Sequence, residues 1–253
     1  MKVINFCGVD FYDVKSFKNF VLFKNKKVFL FPSGPGLAEL KNDQVYLSSL
    51  QDRSINFFDS GLFVLLLKLK NIHVKKFSGY LFIKELFTFL KDNKIRNYLF
   101  IEPSFDHSIV NRNFMKKNYI DSSINSYIAP IYDYNSPKDN NLLNYIIRHK
   151  PKFIVLNIGG GVQEKLAKWL KYNINFNVQI FCTGAAISFL TKKQAPVNSF
   201  IDKIFLGWLV RCIFSPKIFI PRYFKALKFI YIFFTNYKSI SVREFSVINK
   251  NEF

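Results

Sequence analysis

Cysteine is scarce in this 253-residue chain, and Cys7, Cys182 and Cys212 share neither a paired spacing nor a neighbouring histidine. A disulfide framework is thereby excluded, and the thiols suit a reducing compartment. His73, His107 and His149 are scattered, with no metal-ligand spacing among them. No apolar run reaches the roughly 20 residues that span a bilayer. The opening MKVINFCGVDFYDVK lacks the apolar stretch of a secretion signal. These absences point to a soluble or peripheral chain. Acidic residues are in deficit, 17 against 37 basic, which leaves a net charge of +20. A basic chain that is 18% aromatic suits nucleic acid or an anionic membrane surface. Its richness in Phe, Lys, Asn and Ile equally follows from an AT-rich genome, so only local clusters of charge are informative.

What is present suffices for one domain of ordinary size with room for a small appendage, because nearly half the residues are hydrophobic. Short β-rich runs alternate with helical patterns. The expected strands are Lys27–Phe31, Ile55–Phe58, Tyr98–Ile101, Tyr127–Ile131, Phe153–Ile158 and Val178–Cys182. Several are continuous apolar runs, as in strands covered on both faces of a parallel sheet. Helices are expected over Leu37–Leu50, Leu62–Leu69, Tyr80–Asp92, His107–Lys117, Asn141–Arg148 and Gln163–Tyr172. In the third, Leu81, Phe82, Leu86, Phe89 and Leu90 recur at helical spacing. The alternation predicts an α/β fold, Rossmann-like, with a mostly parallel sheet and flanking helices. After Cys182 the character changes, and from Ile201 onward the chain reads as helical, aromatic and basic. The expected organisation is an α/β core over 1–195 and a C-terminal helical appendage over 196–253.

Two glycine clusters follow expected strands: Pro32-Ser33-Gly34-Pro35-Gly36 and Gly159-Gly160-Gly161. Glycine lets backbone approach a phosphate beside a helix N-terminus; either cluster is equally a plain tight turn. Neither is a dinucleotide fingerprint or a P-loop. Asp59 ends the run INFFD and precedes Ser60-Gly61 and a helix. Strand carboxyl ends line the ligand crevice of an open α/β sheet, so Asp59 is a general base or a helix cap. Gln163 and Glu164 stand in the first turn of a helix, beside the same crevice or as its capping residues. No Asp-x-Asp occurs, so a common metal-binding motif of sugar-nucleotide enzymes is missing. Cations for a departing diphosphate would be side chains. The C-terminal segment offers Arg211, Lys217, Arg222, Lys225 and Lys228, the last three on one helical face near Phe224, Leu227, Tyr231 and Phe234. Such a face packs on its own domain or rests on a membrane.

Four blocks in order resemble the WecG/TagA/CpsF family of glycosyltransferases. INFFDSGLFVLLL is similar to the segment ending in its Asp-Gly or Asp-Ser, and VKKFSG to its Arg-x-Thr/Ser-Gly segment. IGGGVQEKLAKWL is similar to its strand–glycine–Gln-Glu–helix signature. CTGAAISFL with APVNSFIDKIFLGWLVRCIFSPKIFIPRY resembles its C-terminal block. The blocks fall within Lys27 to Tyr223. The resemblance implies an α/β core with a membrane-contacting C-terminal appendage. It implies inverting, metal-independent transfer, without a cofactor, of an N-acetylmannosamine-type sugar from a UDP-sugar to a polyprenyl-diphosphate-linked glycan in cell-surface polysaccharide synthesis. Asp59 is then the general base. Lys76, where the family usually has Arg, binds donor phosphate or acceptor, with Ser78 and Gly79 beside it. Gly159, Gln163 and Glu164 fall in the donor pocket, and Arg211 and Arg222 reach the diphosphate. The implied partners are the donor, the lipid-linked acceptor and an anionic membrane surface, with no nucleic acid. The implied location is cytoplasmic, on the inner face of the cell membrane. The sequence leaves homo-oligomerisation open.

Three places depart from the pattern. Phe31-Pro32-Ser33 stands where Thr-x-Asn is usual, with Ser33 in place of the Asn. Ser188 and Lys192 stand where an Asp followed by Gly is usual. Arg222 aligns only with one residue inserted after Lys217. Two other classes compete: a basic nucleic-acid-binding α/β protein, for which the sequence has no recognisable RNA- or DNA-binding signature, and a Rossmann-type oxidoreductase, for which it lacks the dinucleotide fingerprint.

Overall fold

The computed structural model describes residues 1–14, 16, 26–195 and 198–244. Pro196 of the Ala-Pro motif and the last nine residues of the expected appendage lie outside the described residues. The chain opens with an antiparallel hairpin, β1 (Lys2–Phe6) and β2 (Val9–Asp13), which sequence reading does not anticipate. Its two-residue turn puts Cys7 at φ 53° and Gly8 at φ 72°, the left-handed pair that matches strand twist in tight hairpins. Then come β3 (Lys27–Leu30), α1 (Gly34–Leu37), α2 (Gln44–Gln51), β4 (Ile55–Phe57), α3 (Gly61–Leu69) and α4 (Gly79–Asp92). The single helix expected over Leu37–Leu50 is broken because Asp43 accepts a hydrogen bond from the Tyr46 N–H at 2.8 Å, starting α2 afresh. Next follow β5 (Tyr98–Glu102), α5 (Phe105–Lys117), β6 (Tyr127–Ile128), α6 (Asn140–His149), β7 (Phe153–Leu156), α7 (Val162–Asn173) and β8 (Gln179–Cys182).

The sheet order is β6-β5-β7-β8-β3-β4-β2-β1-β9. From β6 to β2 every pairing is parallel. β1 then runs antiparallel, with β9 (Ser241–Glu244) on its far side. After β4 the chain crosses to the other side of β3, so strand order reverses beside β3 and β8. Ligands of open α/β sheets bind at such reversals, outside the strand carboxyl ends.

Both faces of the sheet are covered, which explains the continuous apolar strands. Leu99, Ile101, Ile180 and Cys182 face one core, filled from α2, α3, α6 and α7. Their neighbours Tyr98, Phe100 and Phe181 face the other, filled by Phe82, Leu86 and Leu90 of α4, Met115 of α5 and Ile187. Each such side chain contributes about 1.5–3 kcal/mol on burial.

Beyond β8 lie α8 (Ala186–Leu190), α9 (Ser199–Lys203), α10 (Gly207–Phe214), α11 (Pro216–Ala226) and α12 (Lys228–Asn236). The expectation that this region is helical throughout is corrected by β9. Ser241–Glu244 is exposed and carries no apolar run, so it is strand only through its ladder with β1. Nor does the region stay apart from the core. Phe229 and Phe233 of α12 are fully buried, with rings 5.9 and 5.8 Å from that of Phe6. Among the described residues no helix is long and apolar enough to cross a membrane.

Candidate active site

A cavity of about 390 Å³ opens outside the carboxyl ends of β4, β3 and β8. Its floor is Ser33 and Gly34 after β3, Asp59 to Leu62 after β4, and Thr183 after β8. One wall is Lys76, Ser78 and Gly79 leading into α4, and the roof is α9 to α11, through Asp202, Phe205, Trp208, Arg211 and Tyr223.

Asp59 does not cap α3. Ser60 does, accepting from the Phe63 N–H at 3.3 Å. The Asp59 carboxylate instead accepts from the Gly79 N–H at 2.9 Å, at the head of the fourteen-residue helix α4. Two effects compete on it. Burial pushes its pKa up, and Asp202 adds to this, while Lys76, the Gly79 N–H and Arg211 pull it down; the balance is a raised pKa. A carboxylate raised in this way and open to a cavity is a better proton acceptor than a solvated one.

The cations of the cavity lining are Lys76 and Arg211. The Arg211 guanidinium stacks 4.4 Å from the centre of the Phe189 ring, and its Nη1 donates to the Tyr223 hydroxyl at 3.1 Å. Its Nε is buried without a hydrogen-bond partner. Arg211 is thus oriented by aromatic neighbours and keeps donor capacity for a ligand. Lys76 is paired with Asp202 at 2.6 Å. Gly61 has no room for a side chain, since a Cβ there would lie 2.9 Å from the Phe205 ring in the roof.

Of the sequence-derived candidates, Asp59, Ser33, Lys76, Ser78, Gly79 and Arg211 meet in this cavity. Gly159, Gln163 and Glu164 form a second cluster at the ends of β7 and β8. There Gln163 accepts from the Gly184 N–H at 2.9 Å and donates to the Cys182 carbonyl at 3.3 Å and to Glu164 at 3.1 Å. Glu164 accepts from the Gly161 N–H at 2.7 Å, and burial raises its pKa. Gly159 and Gly160 above them are exposed, with open space where side chains would stand. The clusters adjoin through Thr183 and Gly184, the first lining the cavity and the second bonded to Gln163. Arg222 is outside both, on the exposed face of α11 with its guanidinium 5.8 Å from the Phe219 ring centre; its neighbour Tyr223 lines the cavity. Ser188 is buried and Lys192 exposed.

Sequence reasoning missed Asp202, Thr183, Phe189, Phe205, Trp208 and Tyr223. For Asp202 a signal existed: from 196 to 244 it and Glu244 are the acids of an otherwise basic stretch. The aromatics carried none, because Phe and Tyr are abundant throughout. Among the described residues no three His, Cys, Asp or Glu side chains converge as a metal site would require.

An α/β sheet with two carboxylates and two cations gathered at its reversal point has the layout of a ligand crevice. The family assignment is more specific. Residues 4–242 match the model of the glycosyl transferase WecG/TagA/CpsF family, and the chain belongs to that family. Its members are glycosyltransferases of cell-surface polysaccharide synthesis. A search of curated proteins gave no significant match.

Proposed function

We propose that this chain transfers an N-acetylmannosamine-type sugar from a UDP-sugar to a polyprenyl-diphosphate-linked glycan, with inversion and without a metal ion. The observation that carries this reading is Asp59, raised in pKa at the head of α4 in a cavity whose lining cations are Lys76 and Arg211. In the step we envisage, the Asp59 carboxylate takes the proton of the acceptor hydroxyl. The acceptor oxygen bonds to the anomeric carbon on the face opposite the phosphate. The bond from that carbon to the phosphate oxygen breaks, and UDP leaves with the electron pair. Arg211 and Lys76 meet the charge on the departing diphosphate. Gly159, Gln163 and Glu164 form the donor side, the exposed glycines giving backbone access to the nucleotide.

The roof supports the lipid side of the reading. Ile213 is 73% exposed and Phe224 74%, among basic Lys217, Arg222, Lys225 and Lys228, all exposed. Apolar side chains ringed by cations suit the inner face of an anionic membrane. We take 1–195 as the catalytic core and 196–253 as the appendage that brings it to a lipid acceptor.

The test is a thermal-shift screen of UDP-, GDP- and dTDP-sugars, followed by transfer to a prenyl-diphosphate-linked acceptor. Binding to the native state raises apparent stability, so UDP-sugars should stabilise the chain and support transfer. Failure of every nucleotide sugar to do either overturns the reading.

A further inference from the structure

Part of the polar lining of the cavity is already engaged. Lys76 Nζ donates to Asp202 Oδ1 at 2.6 Å and to the Asp202 carbonyl at 3.0 Å, and Ser78 Oγ donates to Oδ2 at 2.7 Å. A cation and a hydroxyl therefore hold both carboxylate oxygens at the head of α4, as they would hold two oxygens of a phosphate. The pair is largely withdrawn from water, with side-chain exposures of 13% and 17%. Arg211, by contrast, has a buried Nε without a partner. The cavity thus contains one cation ready for an anion and one already neutralised by the chain itself.

Asp202 belongs to α9, which leads into the roof helices, and Phe205 just beyond packs over Gly61 with Lys76 Nζ 5.7 Å from the centre of its ring. The carboxylate therefore ties the core to the roof, and it does so by filling an anion site.

Building on the reading of this cavity as a diphosphate site, we propose that Asp202 is an internal anion that must be exchanged for substrate diphosphate and so sets which anions bind. A diphosphate brings more charge than a carboxylate and reaches Arg211 as well, so it displaces Asp202. A singly charged ligand does not, and discrimination comes from the competitor already in place. The exchange lowers apparent affinity by the fraction of molecules in which the site is free, and it unties α9 once ligand is bound. Donor and acceptor both carry a diphosphate, so the two sources are separated in the test.

The experiment compares the full chain with Asp202→Asn by calorimetric titration with inorganic pyrophosphate, UDP and farnesyl diphosphate. Asp202→Asn keeps the shape of the side chain and removes its charge, and pyrophosphate should bind it about tenfold or more tightly than the unaltered chain. Whichever organic diphosphate shares the gain identifies the source. A gain for pyrophosphate while neither organic diphosphate binds upholds the exchange and overturns the sugar-nucleotide reading. Equal or weaker pyrophosphate binding by Asp202→Asn overturns the exchange, whatever UDP does. Should the variant fail to fold, hydrogen exchange on the unaltered chain decides. Saturating pyrophosphate should speed exchange of the α9 amides, and unchanged or slower exchange there counts against the proposal.

Discussion

At the scale of single residues, Asp59 combines two properties that pull apart. As the proposed base it needs its charge, and as a largely enclosed group it is stabler without it. Its folded pKa lies above the unfolded value, so the native state is favoured at low pH, and that advantage is lost as pH rises through the raised pKa. Asn at this position does not titrate. Asp59→Asn should therefore melt higher than the unaltered chain at neutral pH, and the gap should close below the ordinary Asp range. The same substitution should lower transfer by about 10²–10⁴, the usual cost of losing a general base. The acidic limb of the unaltered enzyme's pH–rate profile should lie above the ordinary Asp range. Wild-type turnover by folded Asp59→Asn would reduce the residue to a structural ligand of the Gly79 N–H. Arg211→Ala should slow turnover by about 10²–10³, as loss of a charge-stabilising donor does, and turnover should persist in EDTA. Strict dependence on added Mg²⁺ or Mn²⁺ would contradict the role given to the two cations. Asp59 was visible in sequence as an acid at a strand end. Its choice between base and cap was not, because Ser60 beside it can cap equally well and only the fold brings Gly79 to the carboxylate. Asp202 stood out as an acid in a basic stretch, but its role could not be read for the same reason: its partners Lys76 and Ser78 lie over a hundred residues away.

At the scale of elements, legibility followed unbroken apolar runs. β5, β7 and β8 are covered on both faces and spell apolar runs, and α4 carries a matching stripe. The β1–β2 hairpin is as deeply buried, with Val3, Ile4, Phe6, Val9 and Phe11 in the core, but Asn5, Asp10 and Asp13 interrupt its apolar run and its turn is Cys-Gly rather than Asn-Gly; β9 is wholly exposed and carries no apolar run at all. The start of α7 illustrates a constraint that glycine did announce. Gly161 sits at φ 91°, ψ −47°, and a Cβ there would lie 2.8 Å from the Tyr134 ring. Gly161→Ala should destabilise the fold by about 1–3 kcal/mol from backbone strain alone, read as a lowered midpoint in urea. It should also disturb the Glu164 hydrogen bond to the Gly161 N–H. An unchanged midpoint would mean that the loop before α7 relaxes freely.

At the scale of the molecule, the C-terminal helices face two ways. Phe229 and Phe233 point into the core, whereas Ile213 and Phe224 point out. Removing everything after Ser215 would therefore strip the core as well as the roof, and it cannot test membrane binding. Point changes can. Ile213→Gln with Phe224→Gln should leave the melting temperature nearly unchanged, since exposed sites usually shift stability by about 0.5 kcal/mol or less. The double variant should sediment less with anionic liposomes. Phe233→Ala should cost about 3–5 kcal/mol by opening a cavity. Undiminished sedimentation of the double variant would confine the roof to packing.

The ladder between β1 and β9 has a consequence for synthesis. Lys2 faces Glu244 across it, and the ring of Phe6 is covered by Phe229 and Phe233. On a ribosome the hairpin emerges more than two hundred residues ahead of the helix and strand that close it. Contacts of such long range are slow to form and leave apolar surface bare meanwhile. Over that interval this edge of the sheet is an unpaired template for any passing strand. The nascent chain is thus open to wrong strand pairing until α12 and β9 are made.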